Sequence, residues 1–284
     1  MPDNVTCGLP TVAVRMPAHP VARLLIHRAG LPLAAPSANR SGRPSPTCAA
    51  HVLHDLDGRI PLILDGGAAD VGVESTVVDL LQHPPALLRP GGVTYEQLLP
   101  LLPGLRVYAK HFQSAALEAA PTTPGMKYRH YSPDARVVLF DPSPSTIGTA
   151  STASTTSSSA VQAAINHEAA QLALSDTTTF AIVRTTSTST STSTSTTSRS
   201  SSSSGGPSVV QYAPDVKPIP GQAIEYVLSC NAAADEVARG LFKALRELDE
   251  LGVRVILVEG ISEDNEGLAV MNRLRKAASQ VINV

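Results

Sequence analysis

Short apolar runs alternate with amphipathic segments in the first part of the chain. Residues 18–29 carry apolar positions at helical spacing and end at Gly30, which predicts a helix closed by a glycine. Apolar or β-branched runs before and after this helix predict strands. These predicted strands cover residues 11–15, 31–35 and 60–64.

The next segments predict a helix, a hairpin and a second helix. A serine–proline pair at residues 45–46 is typical of a helix N-terminus, so we expect a helix from there to about Leu56. Residues 75–80 and 86–89 predict the two strands of a hairpin. Thr94 is placed to cap the helix that follows the hairpin.

A second alternation of strands and helices begins near residue 135. The helix predicted over residues 234–251 has the clearest pattern in the chain, because its apolar positions share one face and Gly252 follows it. Strands and helices in alternation predict a small doubly wound sheet. The predicted strands cover residues 136–140, 180–184, 224–228 and 253–258, and the other two helices cover residues 161–174 and 268–278.

These patterns together predict an α/β protein in two parts. We expect a mixed sheet with helices at residues 1–107, an ordered crossing segment at 108–134 and a Rossmann-like domain at 135–284. Two tracts rich in serine and threonine, at about 143–159 and 185–207, interrupt the second domain. Such tracts cannot bury enough apolar surface to fold, so we expect them to be disordered insertions.

Composition narrows the class of protein. With 284 residues, of which 43% are apolar, the chain is long enough for about two domains with a real core. A formal charge of −2 argues against a strongly basic surface as the main source of nucleic-acid affinity. The three cysteines form neither a zinc spacing nor a disulfide framework, and no apolar run has the length of a transmembrane helix. We therefore expect a cytoplasmic protein with no membrane partner, and a mitochondrial form stays open.

Common catalytic motifs are missing from the sequence. It contains no G-x-S-x-G elbow of a serine hydrolase, no Walker A loop and no G-x-G-x-x-G loop. His51 and His54 lie three residues apart beside Asp55 and Asp57, a spacing that can bind a metal. Without an evident third ligand we favour a solvated helix face, so we predict no metal site and no catalytic nucleophile.

The polar loop at residues 33–47 (LAAPSANRSGRPSPT) carries most of the candidate chemistry. Its hydroxyls and backbone N–H groups could cradle phosphate oxygens, or they could only cap a turn. Three further segments suit a phosphorylated ligand: Ser75 and Thr76 at a strand start, Arg89 at a strand end, and the cationic and aromatic residues 124–131. Each of these segments alone also has a structural interpretation.

These segments occur in the order that is found in a known family. The motifs are TVAVRMPAHP (11–20), APSANRSGRPSPT (35–47), ILDGG (63–67), GVESTVVDL (72–80), LRPGGVT (88–94), PGMKYRHYSP (124–133) and GLAVMNRLRKAA (267–278). With them the chain resembles the threonylcarbamoyl-AMP synthases, which have a YrdC-like catalytic domain and a smaller C-terminal domain. The resemblance implies an α/β fold: part of a YrdC-like twisted mixed sheet with helices, then a Rossmann-like C-terminal domain.

The resemblance also implies an activity. Such enzymes convert L-threonine, bicarbonate and ATP, with Mg²⁺, into threonylcarbamoyl-adenylate and pyrophosphate. The product serves threonylcarbamoyladenosine modification of tRNA, which implies tRNA or the downstream threonylcarbamoyl transferase machinery as partners, and double-stranded RNA binding. Attack of a carbamate oxygen on the α-phosphorus needs positioned reactants and neutralised charge rather than a protein nucleophile.

The family motifs assign binding residues by position, and no catalytic side chain among them. Arg15 is expected to meet the carboxylate of threonine, Ala35 to offer backbone groups, and Tyr131 to close over the nucleotide. The residues implied in ATP binding are Thr11, Ser37, Ser45, Arg89 and Tyr131, those implied in threonine binding are Arg15, Ala35 and Ser75, and Asn39 and Lys127 are second-rank contacts.

The chain departs from the family pattern at its start. The family's YrdC-like domain begins well before the segment that corresponds to residues 11–15, whereas only ten residues precede Thr11 here. We therefore expect the N-terminal half of that domain to be absent and the chain alone to be weakly active or inactive. The alternatives are a non-catalytic RNA-binding module and an inactive fragment. Threonine-dependent ATP binding would favour the enzyme, and salt-dependent RNA binding without ATP would favour the module.

Overall fold

The structure is a computed structural model whose described residues form two separate β-sheets. It describes residues 2–6, 8–108, 130–142, 154–175, 177–185, 207–229, 231 and 233–284. The first sheet lies within residues 77–107 and the second within residues 136–283. Within the described ranges, no helix combines the length and the apolar composition that a membrane crossing requires.

The first sheet is small and mixed. Its strand β2 pairs antiparallel with β1, as the predicted hairpin requires, and parallel with β3. Leu87, Leu105 and Val107 form its buried core. The elements of this region are α1 (Asp3–Thr6), α2 (Pro20–Ala29), α3 (Ala49–Leu56), β1 (Val77–Asp79), β2 (Ala86–Arg89), α4 (Tyr95–Leu98) and β3 (Arg106–Val107).

Three strands predicted in the first region are not strands in the structure. Their backbone is irregular and forms no strand pairing with any described residue. The segments are residues 11–15, 31–35 and 60–64. An extended segment becomes a strand only where a neighbour accepts and donates its backbone hydrogen bonds. Their side chains also lack cover, since Val14 is 88% exposed and Leu62 is 70% exposed.

Helix ends in this region confirm two predictions and correct one. Gly30 has a left-handed φ of 66° and closes α2, and Thr94 forms a capping box with Gln97 at the start of α4. The predicted N-cap at Ser45 is wrong, because α3 begins at Ala49 after Cys48. The Ser45 hydroxyl instead donates a charge-assisted hydrogen bond to the carboxylate of Glu74.

The second sheet has six parallel strands in the order β6-β7-β5-β8-β4-β9. Every residue of the central strands β5 and β8 is buried, as their continuous apolar runs predict for a sheet covered on both faces. The elements are β4 (Arg136–Asp141), α5 (Ser154–Ala173), β5 (Phe180–Arg184), β6 (Ser208–Gln211), β7 (Gln222–Val227), α6 (Ala234–Glu250), β8 (Val255–Glu259), α7 (Gly267–Ala277) and β9 (Gln280–Asn283).

Sequence patterns missed both edge strands of this sheet. Strands β6 and β9 are four residues long and mostly exposed, so they lack the buried apolar run that marks the inner strands. The backbone of residues 154–159, at the end of the first tract expected to be disordered, begins α5, and the disorder of that tract stays a prediction. Residues 143–153 and 186–206 lie outside the described part of the chain.

Helices α6 and α7 of the second region face the loops of the first region. Three arginines make the contact: Arg246 bonds to Pro44 and Asp55, Arg273 bonds to Glu74 and Pro90, and Arg239 bonds to the carbonyl of Asp70. At Gly72 the two backbones meet, since a Cβ there would lie 2.3 Å from the Cα of Arg239. The C-terminal helices thus fix the loops that carry the candidate site.

Candidate functional site

Ser75 lies where two of the predicted binding arginines meet. The Nη1 of Arg15 donates to the Ser75 Oγ at 3.0 Å. The Nε and Nη2 of Arg89 both donate to the Ser75 carbonyl, at 3.1 and 2.9 Å. The structure therefore gathers two residues that the motifs assign to threonine and one that they assign to ATP around one backbone segment, and these assignments stay predictions.

Glu74 connects Ser45 to this cluster. Its Oε1 accepts from the Ser45 hydroxyl at 2.5 Å, and its Oε2 accepts from the Nε of Arg273 at 2.8 Å. Burial alone would raise the pKa of Glu74, but the charge of Arg273 and the bond from Ser45 outweigh burial and lower the pKa. Glu74 is thus an ionised carboxylate with both oxygens engaged.

Gly91 lets the end of β2 approach this segment closely. A Cβ at residue 91 would lie 2.2 Å from the Glu74 carbonyl oxygen and 2.4 Å from the Thr76 nitrogen. The neighbouring Gly92 donates its backbone N–H to the same Glu74 carbonyl at 3.2 Å. Only a residue without a side chain fits at position 91, which explains the glycine after Arg89-Pro90.

Tyr131 lies beneath the cluster and is only 2% exposed. Its ring packs on Phe242 with centroids 5.2 Å apart, and the guanidinium of Arg273 lies 5.7 Å from the ring centroid. Burial raises the pKa of Tyr131. Its φ of 66° is unusual for a residue with a side chain, so the surrounding packing holds the chain in this bend.

Positive charge accumulates around Glu74. Burial and the nearby charge of Arg273 lower the pKa of Arg89. Burial, together with repulsion from Arg273 and Arg89, lowers the pKa of Lys276 to about 8. Cations that disfavour one another in this way are stabilised when an anion binds between them, so the cluster suits a carboxylate or phosphate ligand.

The polar loop is held in shape from within and from α6. The amide of Asn39 donates to the carbonyls of Arg40 and Arg43, at 2.8 and 3.2 Å. From α6, Arg246 donates to the Pro44 carbonyl and to Asp55, which lies on α3. Burial would raise the pKa of Asp55, but Arg246 reverses this effect and lowers the pKa to about 2.

Several predicted site residues are not drawn into the cluster. Thr11, Ala35 and Ser37 are exposed on irregular backbone, and within the described ranges no side-chain hydrogen bond involves Thr11 or Ser37. Their assignment to ATP or threonine stays a prediction. Lys127 lies outside the described residues.

The described residues do not fit a resident metal ion. They contain no group of three or more histidine, cysteine, aspartate or glutamate side chains that could hold one. The histidine pair considered from sequence is used otherwise: His51 accepts from the Thr47 N–H at 3.2 Å, and His54 lies 3.2 Å from Asp55. We therefore derive no step through a protein-bound metal.

Sequence reasoning missed Glu74, Gly91 and Arg273 as parts of the site. Arg273 could have been noticed, because it falls three residues after Val270 and four before Ala277, on the buried face of α7. An arginine in an apolar stripe implies a buried partner. The partner, Glu74, is 199 positions away in sequence and cannot be identified by local spacing.

Fold and site together define a class of protein. It is an α/β protein in which loops beside a small mixed sheet meet helices of a doubly wound parallel sheet, at a surface rich in arginines and hydroxyls. Family comparisons agree with this class. Residues 93–279 match the model described as the C-terminal domain of threonylcarbamoyl-AMP synthase, and residues 1–91 match the one described as telomere recombination.

Known proteins of similar sequence carry one name. Over 98% of its length the chain is 42% identical to a threonylcarbamoyl-AMP synthase of Schizosaccharomyces pombe and 38% identical to one of Pyrococcus abyssi. The crystal structure of P. abyssi Sua5 complexed with L-threonine matches with a TM-score of 0.74 at 38% identity, over 100% of this chain and 68% of that one. The chain belongs to the threonylcarbamoyl-AMP synthase family. It spans 59% and 67% of the length of these two curated relatives.

Proposed function

We propose that this chain carries the ATP- and threonine-binding surface of an L-threonylcarbamoyladenylate synthase. The reaction joins L-threonine, bicarbonate and ATP and releases pyrophosphate. The observation that carries the proposal is the convergence of Arg15, Arg89 and Ser45 on residues 74–75, with bonds of 2.5 to 3.1 Å. A related structure was solved with L-threonine bound, which supports threonine as a ligand.

The chemistry of these groups supports dividing the surface into a part for threonine and a part for the phosphates of ATP. The guanidinium of Arg15 is a suitable partner for the threonine carboxylate, because its planar fork pairs with two carboxylate oxygens. Arg89 and the nearby Lys276 suit the phosphates, since they concentrate charge where it is poorly solvated. Catalysis would then come from positioning and charge neutralisation, without a covalent intermediate on the protein.

We further propose that residues 8–108 form one wall of this site. The extended segments at 11–15, 31–35 and 60–64 present apolar side chains that are exposed to solvent. A site that is open on this side excludes water poorly, and charge stabilisation is weaker in water than in a dry cleft. We therefore expect the 284-residue chain alone to turn over slowly.

Pyrophosphate release by the purified chain tests the proposed function. We expect slow release that requires both L-threonine and bicarbonate, with L-serine in place of threonine as the matched control. Release that is independent of threonine would contradict the function. Fast turnover would instead contradict the expectation that the described surface is only one wall of the site.

The biological setting follows from the proposed product. We propose that threonylcarbamoyl-adenylate is used for tRNA modification in the cytoplasm, with Mg²⁺ arriving as the complex with ATP. Support comes from the shared name of the relatives and from a cysteine content that fits a reducing compartment. Binding of double-stranded RNA is the least supported part, because the formal charge of the chain is −2.

A further inference from the structure

We propose that Arg273, on helix α7 of the C-terminal region, is a positioning residue for the ligand surface and acts through Glu74. This inference rests on the proposed function for its ligands. The proposed ligand contacts lie in the first region. The inference adds that the C-terminal region holds the ligand surface in shape. The geometry that carries it is a chain of bonds from Arg273 to Glu74 and from Glu74 to Ser45.

The side chain of Arg273 is fully buried between the two regions. Its Nε donates to Glu74 at 2.8 Å and its Nη1 donates to the Pro90 carbonyl at 2.6 Å. One guanidinium therefore ties together the two segments that flank Ser75, namely Glu74 and the end of β2. A lysine could satisfy one of these acceptors but not both, because it lacks the planar fork.

Arg273 also controls the charge next to the proposed phosphate contacts. Glu74 is ionised and lies beside Arg89 and Ser45, so without Arg273 its negative charge would repel the phosphates of ATP. The Nη2 of Arg273 is buried and meets no hydrogen-bond partner among the described residues. An arginine kept with an unsatisfied donor is costly for folding alone, which favours a role at the site.

A role through the charge of Glu74 differs measurably from a role in packing. If Arg273 only fills space between the regions, a second substitution at Glu74 adds damage. If Arg273 neutralises and orients Glu74, removing the carboxylate charge relieves the defect that loss of Arg273 creates. Glu74→Gln keeps the size of the side chain and one accepting oxygen while removing its charge.

The experiment measures ATP affinity by calorimetry for the full chain and for Arg273→Met, Glu74→Gln and their double variant. We expect Arg273→Met to weaken ATP binding by about tenfold or more, the loss typical of a buried charge-assisted bond. The double variant should return to within about threefold of Glu74→Gln alone. Arg275→Met is the matched control, because this arginine on the same helix bonds to Asp141 and Glu263, away from Glu74.

A second measurement needs no ligand and keeps the two proposals distinguishable. Hydrogen exchange of Arg273→Lys should rise over residues 74–76 and 90–93 and stay unchanged in β5 and β8, whereas Arg275→Lys should change neither site segment. A double variant that binds ATP no better than Arg273→Met, or unchanged exchange in Arg273→Lys, would overturn the positioning role. Absence of ATP binding by the unsubstituted chain would overturn the proposed function, and the exchange result would still decide the role of Arg273.

Discussion

Residues 8–108 and residues 130–284 differ in how they use their apolar side chains. In the second region these side chains form two buried clusters, which pack on the two faces of a complete six-stranded sheet. In the first region one small cluster lies under a three-stranded sheet, while Val14, Leu62 and other large apolar residues are exposed. The same patterning rules predict strands in both regions, but among the described residues only those of the second region all find neighbours.

This difference shows how a candidate site can lie beside a small sheet. The loops of the first region are fixed by buried charged bonds to α6 and α7 rather than by a core of their own. The two regions should therefore respond differently to the same kind of substitution.

The largest expected effect on the free energy of unfolding distinguishes buried apolar residues from exposed ones. Leu241→Ala, at a fully buried position of α6, should lower the free energy of unfolding by about 2–5 kcal/mol, because it removes packed methyl groups and leaves a cavity. Leu62→Ala is the matched control, and as an exposed residue it should cost less than about 0.5 kcal/mol. Urea unfolding followed by circular dichroism measures both. Equal costs would remove the distinction between the regions.

The next effect tests the charged contact between the regions. Asp55→Asn should cost about 3 kcal/mol, because it leaves the buried guanidinium of Arg246 without its charge partner. The folded-state pKa of Asp55 is lowered to about 2, so its contribution is present above the unfolded pKa near 4 and is lost as the pH falls toward 2. Unfolding measured from pH 6 to pH 2 should therefore show a shallower acid decline in the variant. An unchanged acid decline would mean that this pair does not join the regions.

A smaller effect concerns the close approach at Gly91. Gly91→Ala should cost about 1–3 kcal/mol and weaken threonine binding, because its Cβ would displace the backbone of residues 74–76. Gly92→Ala is the control, since its Cβ would meet only the side chain of Val71, which is half exposed. Thermal unfolding and threonine titration measure both variants. If the control is as damaging as Gly91→Ala, the close approach has no special role.

The smallest effect lies in the part of the first region that has a core. Thr94→Ala removes the capping box of α4 and should cost about 1 kcal/mol. Thr94→Ser keeps the hydroxyl and should recover most of this loss. Chemical denaturation distinguishes the two variants, and an unfolding free energy that is the same for all three proteins would mean that α4 is not coupled to the global fold.

The second region could be predicted well from sequence, and the first region only in part. The strands 136–140, 180–184, 224–228 and 253–258 are confirmed within a few residues, because a buried strand and an amphipathic helix carry their signal locally. The strands at 11–15, 31–35 and 60–64 had the same local signal but no described partner. Pairing depends on other parts of the chain, which local periodicity does not contain.

The candidate site shows the same limit. Arg15, Ser75, Arg89 and Ser45 could be chosen from motifs, and the structure brings them within reach of Glu74. The residues that hold them in place could not be identified from the sequence. Arg273 and Arg246 lie 199 and 191 positions away in sequence from the carboxylates that they bind. The role of Ser45 was also mispredicted, since its hydroxyl donates to a carboxylate that is distant in sequence and the helix begins only at Ala49.

The central claim is that the surface around residues 74–75 binds ATP and L-threonine together. The most direct test is the affinity of the 284-residue chain for ATP, measured by calorimetry with and without saturating L-threonine. We expect L-threonine to tighten ATP binding and Arg15→Met to abolish this effect while leaving the C-terminal region folded. Salt-dependent RNA binding, with an ATP affinity that threonine does not change, would contradict the account.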